Sequence, residues 1–258
     1  MTSLSSILVT KPDPDICLLT LNRPEKRNAL NGPMIQEWMQ ALQEIADDAS
    51  VRVVIVNGNG EHFCAGADMA WMQKMAQASH AENVNDALQL ARLLEKIYTF
   101  PKPIIGLVHG AIMGGGLGVV ACCDMVIAAT NSVFCFPEVK VGLTPSVISP
   151  YILSTMGEKS ARYYFLTAES FNSQIATELK LVQQTAPLEK LFEAGLTLAK
   201  SILKNSPHAL SEAKKITRHP VSEETIKMTA EHLASMRASQ DAQEGLKAFL
   251  EKRSPVWE

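Results

Sequence analysis

Two short runs constrain this chain more than anything else in it: Val53-Val54-Ile55-Val56 and Ile104-Ile105-Gly106-Leu107-Val108. Neither alternates polar with apolar residues. Each therefore predicts a strand covered on both faces, which is the situation of a parallel sheet between layers of helix. Helical spacing surrounds them. Asn31-Gly32-Pro33 opens a helix with Met34, Ile35, Trp38, Met39, Leu42 and Ile45 on one side and Asp47-Asp48 near its end. A second runs from Asn83 to Tyr98, with Leu88, Ala91, Leu94 and Ile97 in register, until Phe100-Pro101-Lys102-Pro103 breaks it. An earlier strand, Ile16 to Leu21, ends at Asn22-Arg23-Pro24. Gly114-Gly115-Gly116 opens a short apolar helix through Cys122, and Met125 to Ala128 and Ser132 to Phe136 read as extended. Beyond Ser149 the pattern is helical, with Val182 to Gln184 suggesting one strand. Strand–helix alternation followed by a helical tail predicts an α/β core with a C-terminal helical region.

Composition serves mainly to exclude. Lys plus Arg number 24 and Asp plus Glu 27, a net charge of −3 that gives no electrostatic reason to expect nucleic acid or an anionic membrane. No apolar run reaches the ~18 residues of a membrane helix. Met1 to Ile7 lacks the basic and apolar regions of a secretion signal. The five cysteines, Cys17, Cys64, Cys122, Cys123 and Cys135, show no C-x-x-C spacing. They read as buried small hydrophobes in a reducing compartment, so cytoplasm is the expected location, and no metal site is expected.

The glycines near 115 admit three readings. Gly116-x-Gly118-x-x-Ala121, with Glu138 about 20 residues on, formally matches a dinucleotide fingerprint and would make the chain an NAD-dependent oxidoreductase. Five residues, His109 to Met113, nevertheless separate the strand from the first glycine, where that motif has a tight turn. Small residues that merely let a helix pack closely are the second reading. The third is an oxyanion hole. A helix-opening glycine offers an unobstructed backbone N–H, and Phe63-Cys64-Ala65-Gly66-Ala67-Asp68 is the natural source of a second donor.

Four motifs in order now carry a resemblance. They are Asn22-Arg23-Pro24-x-Lys26-Arg27-Asn28-Ala29-Leu30, the 63–68 loop, Gly110-x-x-x-Gly114-Gly115-Gly116 followed by Cys123-Asp124, and Pro137-Glu138-x-x-x-Gly142. Together they resemble the crotonase superfamily of enoyl-CoA hydratases and isomerases, over essentially the whole chain to Phe249-x-x-Lys252-Arg253. The run from Phe134 to Tyr151 is most similar to bacterial methylglutaconyl-CoA hydratases of leucine degradation.

The resemblance implies a spiral of repeated ββα units and C-terminal helices that assemble trimers or pairs of trimers. It places the core and acyl-CoA site in residues 1–195 and the helical oligomerisation region in 196–258. It further implies that Ala67 and Gly115 hold the thioester oxygen, with Ala65, Gly66, Asp68 and Met69 beside them, and that Trp71 and Met72 wall the acyl pocket. Lys26 and Ala29 would contact the coenzyme A phosphates and adenine, with Arg23 and Arg27 as further basic candidates or a merely solvated cluster. Phe249 and Lys252 would reach a neighbouring subunit's coenzyme A. Coenzyme A is part of the substrate, and no separate cofactor is implied.

Glu138, among Val133-Phe134-Cys135-Phe136-Pro137, is the acid/base candidate, because an apolar setting raises a carboxyl pKa towards neutrality. Two-glutamate hydratases carry a second carboxylate two positions after the glycine triplet. Here Gly118 stands there. The expectation is a hydratase using Glu138 alone, with a 3-enoyl to 2-enoyl isomerase as the alternative and a non-catalytic acyl-CoA binder as a remoter one. Asp124 and His109 are expected to be structural.

Overall fold

The computed structural model describes residues 6–217 and 222–256; most of the N-terminal segment read for a leader, residues 1–5, lies outside them. A hairpin opens the chain: β1 (Ile7–Asp13) pairs antiparallel with β2 (Ile16–Leu21). Then come α1 (Gly32–Asp47), β3 (Val53–Gly58), α2 (Met69–Ala76), α3 (His80–Tyr98), β4 (Ile104–Val108), β5 (Ala111–Met113) and α4 (Gly115–Cys122). Next are β6 (Met125–Ala129), β7 (Val133–Cys135), α5 (Ser149–Met156), α6 (Glu158–Thr167), β8 (Phe171–Asn172), α7 (Ser173–Glu178) and β9 (Gln184–Ala186). Four helices end the chain: α8 (Leu191–Ile202), α9 (Pro207–Ile216), α10 (Glu223–Arg237) and α11 (Gln240–Leu250). The 195/196 division expected from sequence falls inside α8.

The strands alternate between two sheets. The larger has the order β1-β2-β3-β4-β6-β9, parallel from β2 onward, and the smaller is β5-β7-β8. Thus β4 lies in the first sheet and β5 in the second, then α4 returns the chain to β6 in the first and β7 in the second. Parallel bridges Cys64↔Ile112 and Leu30↔Ala67 carry the same step back to the earlier turns. The result is a spiral of ββα turns.

Burial explains why the two unbroken apolar runs are central strands. Val54 and Val56 face one core with Trp38, Leu42 and Leu94, whereas Val53 and Ile55 face another with Ile127, Ala199 and Ile202 of α8. Both faces are dry. Helix ends follow their caps: Asn31 accepts from the Met34 amide, and Ser79 with Glu82 forms a reciprocal capping box on α3.

Several expectations need correction. β1 and α2 went unread, and β8 is only two residues long. The late strand lies at Gln184–Ala186, not 182–184, because Leu181 and Val182 are core residues of the preceding turn. On α10, Ile226 and Leu233 are buried with Ala230 against α3, while Met228 points outward at 61% exposure, since residues two apart lie on opposite sides of a helix. All five cysteines are free thiols, four buried and Cys123 half-buried. Asp124 accepts from the Ile104 amide and pairs with Lys214, and the His109 ring contacts the Gly60 carbonyl at 2.9 Å, so both are structural as expected.

Candidate active site

A cleft of about 330 Å³ opens where the turns of the spiral meet α2, α3 and α10. Its floor is backbone. The parallel bridge at Leu30 uses the Gly66 carbonyl and the Asp68 amide, which turns the Ala67 N–H to the opposite side. Gly115 opens α4, where first-turn amides have no carbonyl a turn behind them. Both residues line the cleft, as do Ala65, Gly66, Met69, Trp71 and Met72. Gly66 and Gly114 have φ of +95° and +46°, so each loop turns through a conformation that side-chain-bearing residues avoid.

Glu138 enters from a 3₁₀ turn, Glu138–Val141, that follows β7. The turn is clamped from outside, because Gly142 and Gly245 let α11 approach it to within the space a Cβ would need. The Glu138 carboxyl meets Gly114: a Cβ built there would lie 2.9 Å from Oε1. Oε2 is shut off from solvent and has no hydrogen-bond partner among the described residues. Burial pushes the Glu138 pKa up to about 7, its own backbone amide offsetting a part.

Other residues fall differently. Asp68 lies outside the lining: Oδ1 caps α2 through the Ala70 and Trp71 amides, and Oδ2 takes the Arg23 guanidinium at 2.8 Å. Arg23 also donates to the Ala29 carbonyl, so it straps two loops together and is not a solvated charge. Asn28, fully buried at φ +53°, bonds the Asn59 and His62 carbonyls and gives the first motif its structural purpose. Lys26 is exposed, Ala29 is buried, and neither lines the cleft. Phe249 lines this chain's own cleft, whereas Lys252 does not.

Gly118 is screened from the cleft by the Ile148 side chain. A Cβ there would lie 2.4 Å from Ile148 Cγ2 and 3.2 Å from Leu94 Cδ1, and Ile148 is the residue that lines the cleft in front of it. Gly116 likewise packs on Cys64. The glycines 116 and 118 thus serve close helix packing, and the dinucleotide reading has no cradle. Gly118→Ala should cost about 1–3 kcal/mol through overpacking. Combined with Ile148→Ala it should show strong non-additivity, measurable as a double-mutant cycle in urea.

Sequence reasoning missed several polar side chains of the lining. Asp86 of α3 accepts from Trp71 Nε1 at 2.8 Å and from Arg237 of α10 at 2.6 Å. Thr144, Ser146 and Lys140 complete the set. Positions 71, 86 and 237 lie too far apart in the chain for any motif to join them.

The buried Glu138 carboxyl and the loops that carry the Ala67 and Gly115 amides thus share one largely apolar cleft. The comparisons name the class to which the chain belongs. The profile of the enoyl-CoA hydratase/isomerase family matches residues 13–258. The chain is 32% identical to the 2,3-dehydroadipyl-CoA hydratase of Escherichia coli over 258 residues, covering 98% of each, and 31% identical to the crotonyl-CoA hydratase of Syntrophomonas wolfei, covering 95% of each. An enoyl-CoA hydratase structure from Mycobacterium avium superposes with a TM-score of 0.86 at 31% identity, over all of both chains. One from Shewanella pealeana superposes at 0.80 with 38% identity, covering 99% of this chain and 97% of that one. The chain belongs to the enoyl-CoA hydratase/isomerase family, and its fold is the crotonase spiral.

Proposed function

We propose that the protein is an enoyl-CoA hydratase that adds water across the α–β double bond of an acyl thioester with Glu138 as its one proton-transfer group. The observation that supports it most is the desolvated Glu138 carboxyl beside Gly114. The thioester oxygen would accept from the Ala67 and Gly115 amides, which stabilise the charge that gathers there as the α carbon becomes enolate-like. Glu138, as carboxylate, takes a proton from water attacking the β carbon and returns one to the α carbon. With its pKa near 7, kcat/KM should rise with pH through about 7 as the base form fills. A flat profile from pH 5.5 to 8.5 would contradict this assignment.

The hydrophobic wall at Gly118 favours a second reading, a 3-enoyl to 2-enoyl isomerase, for which a single carboxylate suffices. Product mass from a panel of enoyl-CoA substrates decides between them, since hydration adds a water and isomerisation adds nothing. For the acyl group we favour methylglutaconyl-CoA, on the similarity over 134–151 and on Lys140 in the lining, a cation able to face its free carboxylate, Arg237 being already paired with Asp86. That choice would place the enzyme in leucine breakdown.

Lys26 and Ala29, and Lys252 from a neighbouring chain, are proposed contacts of the coenzyme A moiety, whereas Phe249 would meet the substrate in its own chain's cleft. No metal and no separate cofactor enter this scheme. No helix among the described residues is long and apolar enough to cross a membrane, and five free thiols suit the cytoplasm. The assembly we propose is a trimer or a pair of trimers, consistent with apolar residues left outside the monomer, among them Leu166 at 72% and Ile216 at 85% exposure. Light scattering at micromolar concentration should give a multiple of three 28.2 kDa chains, and a single-chain mass would contradict it.

A further inference from the structure

Adding water across a double bond requires the attacking oxygen to be held at more than one point. In this cleft Glu138 offers one, and on the Gly118 side the wall is the hydrocarbon of Ile148. The hydroxyls in the lining belong to Thr144 and Ser146, on the loop between the Glu138 turn and α5. They are not loose. Ser146 Oγ lies 2.5 Å from Thr144 Oγ1 and 2.7 Å from Nδ1 of His232, which reaches over from α10; Thr144 Oγ1 is 3.4 Å from the same nitrogen. Ser146 is only 8% exposed, so these partners set the direction of its hydroxyl.

Consider the hydrogen count. With His232 as the Nε2–H tautomer, Nδ1 accepts the Ser146 proton. The Thr144 hydroxyl then donates to Ser146 Oγ, which keeps one lone pair for a donor in the cleft. A water that gives one hydrogen to that lone pair and the other to Glu138 has its own lone pairs left for the β carbon. The helix cap does not explain the arrangement: α5 is served by the Ser146 carbonyl, which accepts from Ser149, and not by the Ser146 hydroxyl.

We propose that Ser146 holds the attacking water together with Glu138, and that His232 and Thr144 are positioning residues that make the Ser146 oxygen an acceptor. The proposal rests on the hydratase reading above. In the step, the water O–H bond facing Glu138 breaks and its proton passes to the carboxylate. A C–O bond forms at the β carbon, and the π electrons move to the thioester oxygen. The enolate then takes that proton from Glu138 at the α carbon, which restores the carboxylate. Ser146 keeps its own proton throughout.

The test compares two reactions of the same full-length protein: hydration of crotonyl-CoA, and exchange of the α protons of butyryl-CoA with D₂O. Exchange needs Glu138 and the oxyanion donors but no nucleophilic water. Ser146→Ala should lower kcat for hydration about tenfold, the worth of one hydrogen bond in the reacting state, with exchange within twofold of wild type. His232→Ala, an exposed position, should lower the hydration-to-exchange ratio in the same direction, and Ser146→Thr should restore part of it. Hydration and exchange falling together would reduce Ser146 to packing and overturn the proposal. So would unchanged hydration, or a change confined to KM. Failure of the wild type to add water to any enoyl-CoA would instead sink the hydratase reading itself.

Discussion

Glu138→Gln should lower hydration turnover by about 100- to 10,000-fold, the usual worth of a positioned acid/base group, while acyl-CoA affinity stays within several-fold. Glutamine keeps the size and leaves the Ala67 and Gly115 amides in place, so it removes proton transfer and little else. The same substitution should stabilise the fold at alkaline pH. The folded-state pKa of Glu138 is raised from 4.5 to about 7 by burial. Its contribution to stability is therefore full below about 4.5 and is lost as pH rises through about 7. A shift of that size corresponds to roughly 3 kcal/mol, part of which the buried glutamine amide gives back. Urea titrations at pH 5 and pH 8.5 should show the variant gaining on wild type only at the higher pH. A catalytic group that costs stability, and whose removal returns it, is what a site-directed strain on the fold predicts.

The second large effect is expected at Gly114. Its backbone sits at φ +46° and ψ −115°, and a Cβ would stand 2.9 Å from Glu138 Oε1. Gly114→Ala should therefore displace the carboxylate, rotate the peptide that carries the Gly115 amide, and cut kcat by about 100- to 1000-fold. Strain of about 1–3 kcal/mol should accompany it. Gly157→Ala is the control. Gly157 has a positive φ of +76° with nothing within 4 Å, so it shares the backbone strain without touching the site. Its variant should lose stability in urea yet keep wild-type turnover; equal losses of turnover at both positions would mean that strain alone explains Gly114.

The sequence disclosed the layers of this fold but not their winding. Val53–Val56 and Ile104–Val108 announce doubly covered strands because no polar residue interrupts them, and both appear in the central sheet. The second sheet was much fainter. Its strands are two or three residues long, and the links at Cys64 and Leu30 are single bridges, too short for any period to register. The spiral came from the family resemblance and could not have come from hydrophobic patterning.

In the cleft, local motifs were legible and tertiary ones were not. Glu138 with its apolar flanks and the 63–68 loop could be singled out because each is contiguous. The Ser146–His232 and Trp71–Asp86–Arg237 groups join residues 86 and up to 166 positions apart, where α10 meets the loop before α5 and where α2, α3 and α10 come together. At Gly118 the motif marks the position of a second carboxylate, but not that the Ile148 side chain stands between that position and the cleft.

The central claim is that one carboxylate, on one side of the bound acyl group, handles both protons. Such a group can serve only one face of the double bond, because the water it deprotonates and the α carbon it protonates must both lie against it. Hydration of crotonyl-CoA in D₂O, with the relative configuration of the product read by NMR, tests this directly. A single deuterium at the α carbon on the same face as the new hydroxyl is the predicted result. Addition to opposite faces would require a second acid on the far side of the cleft and would contradict the account.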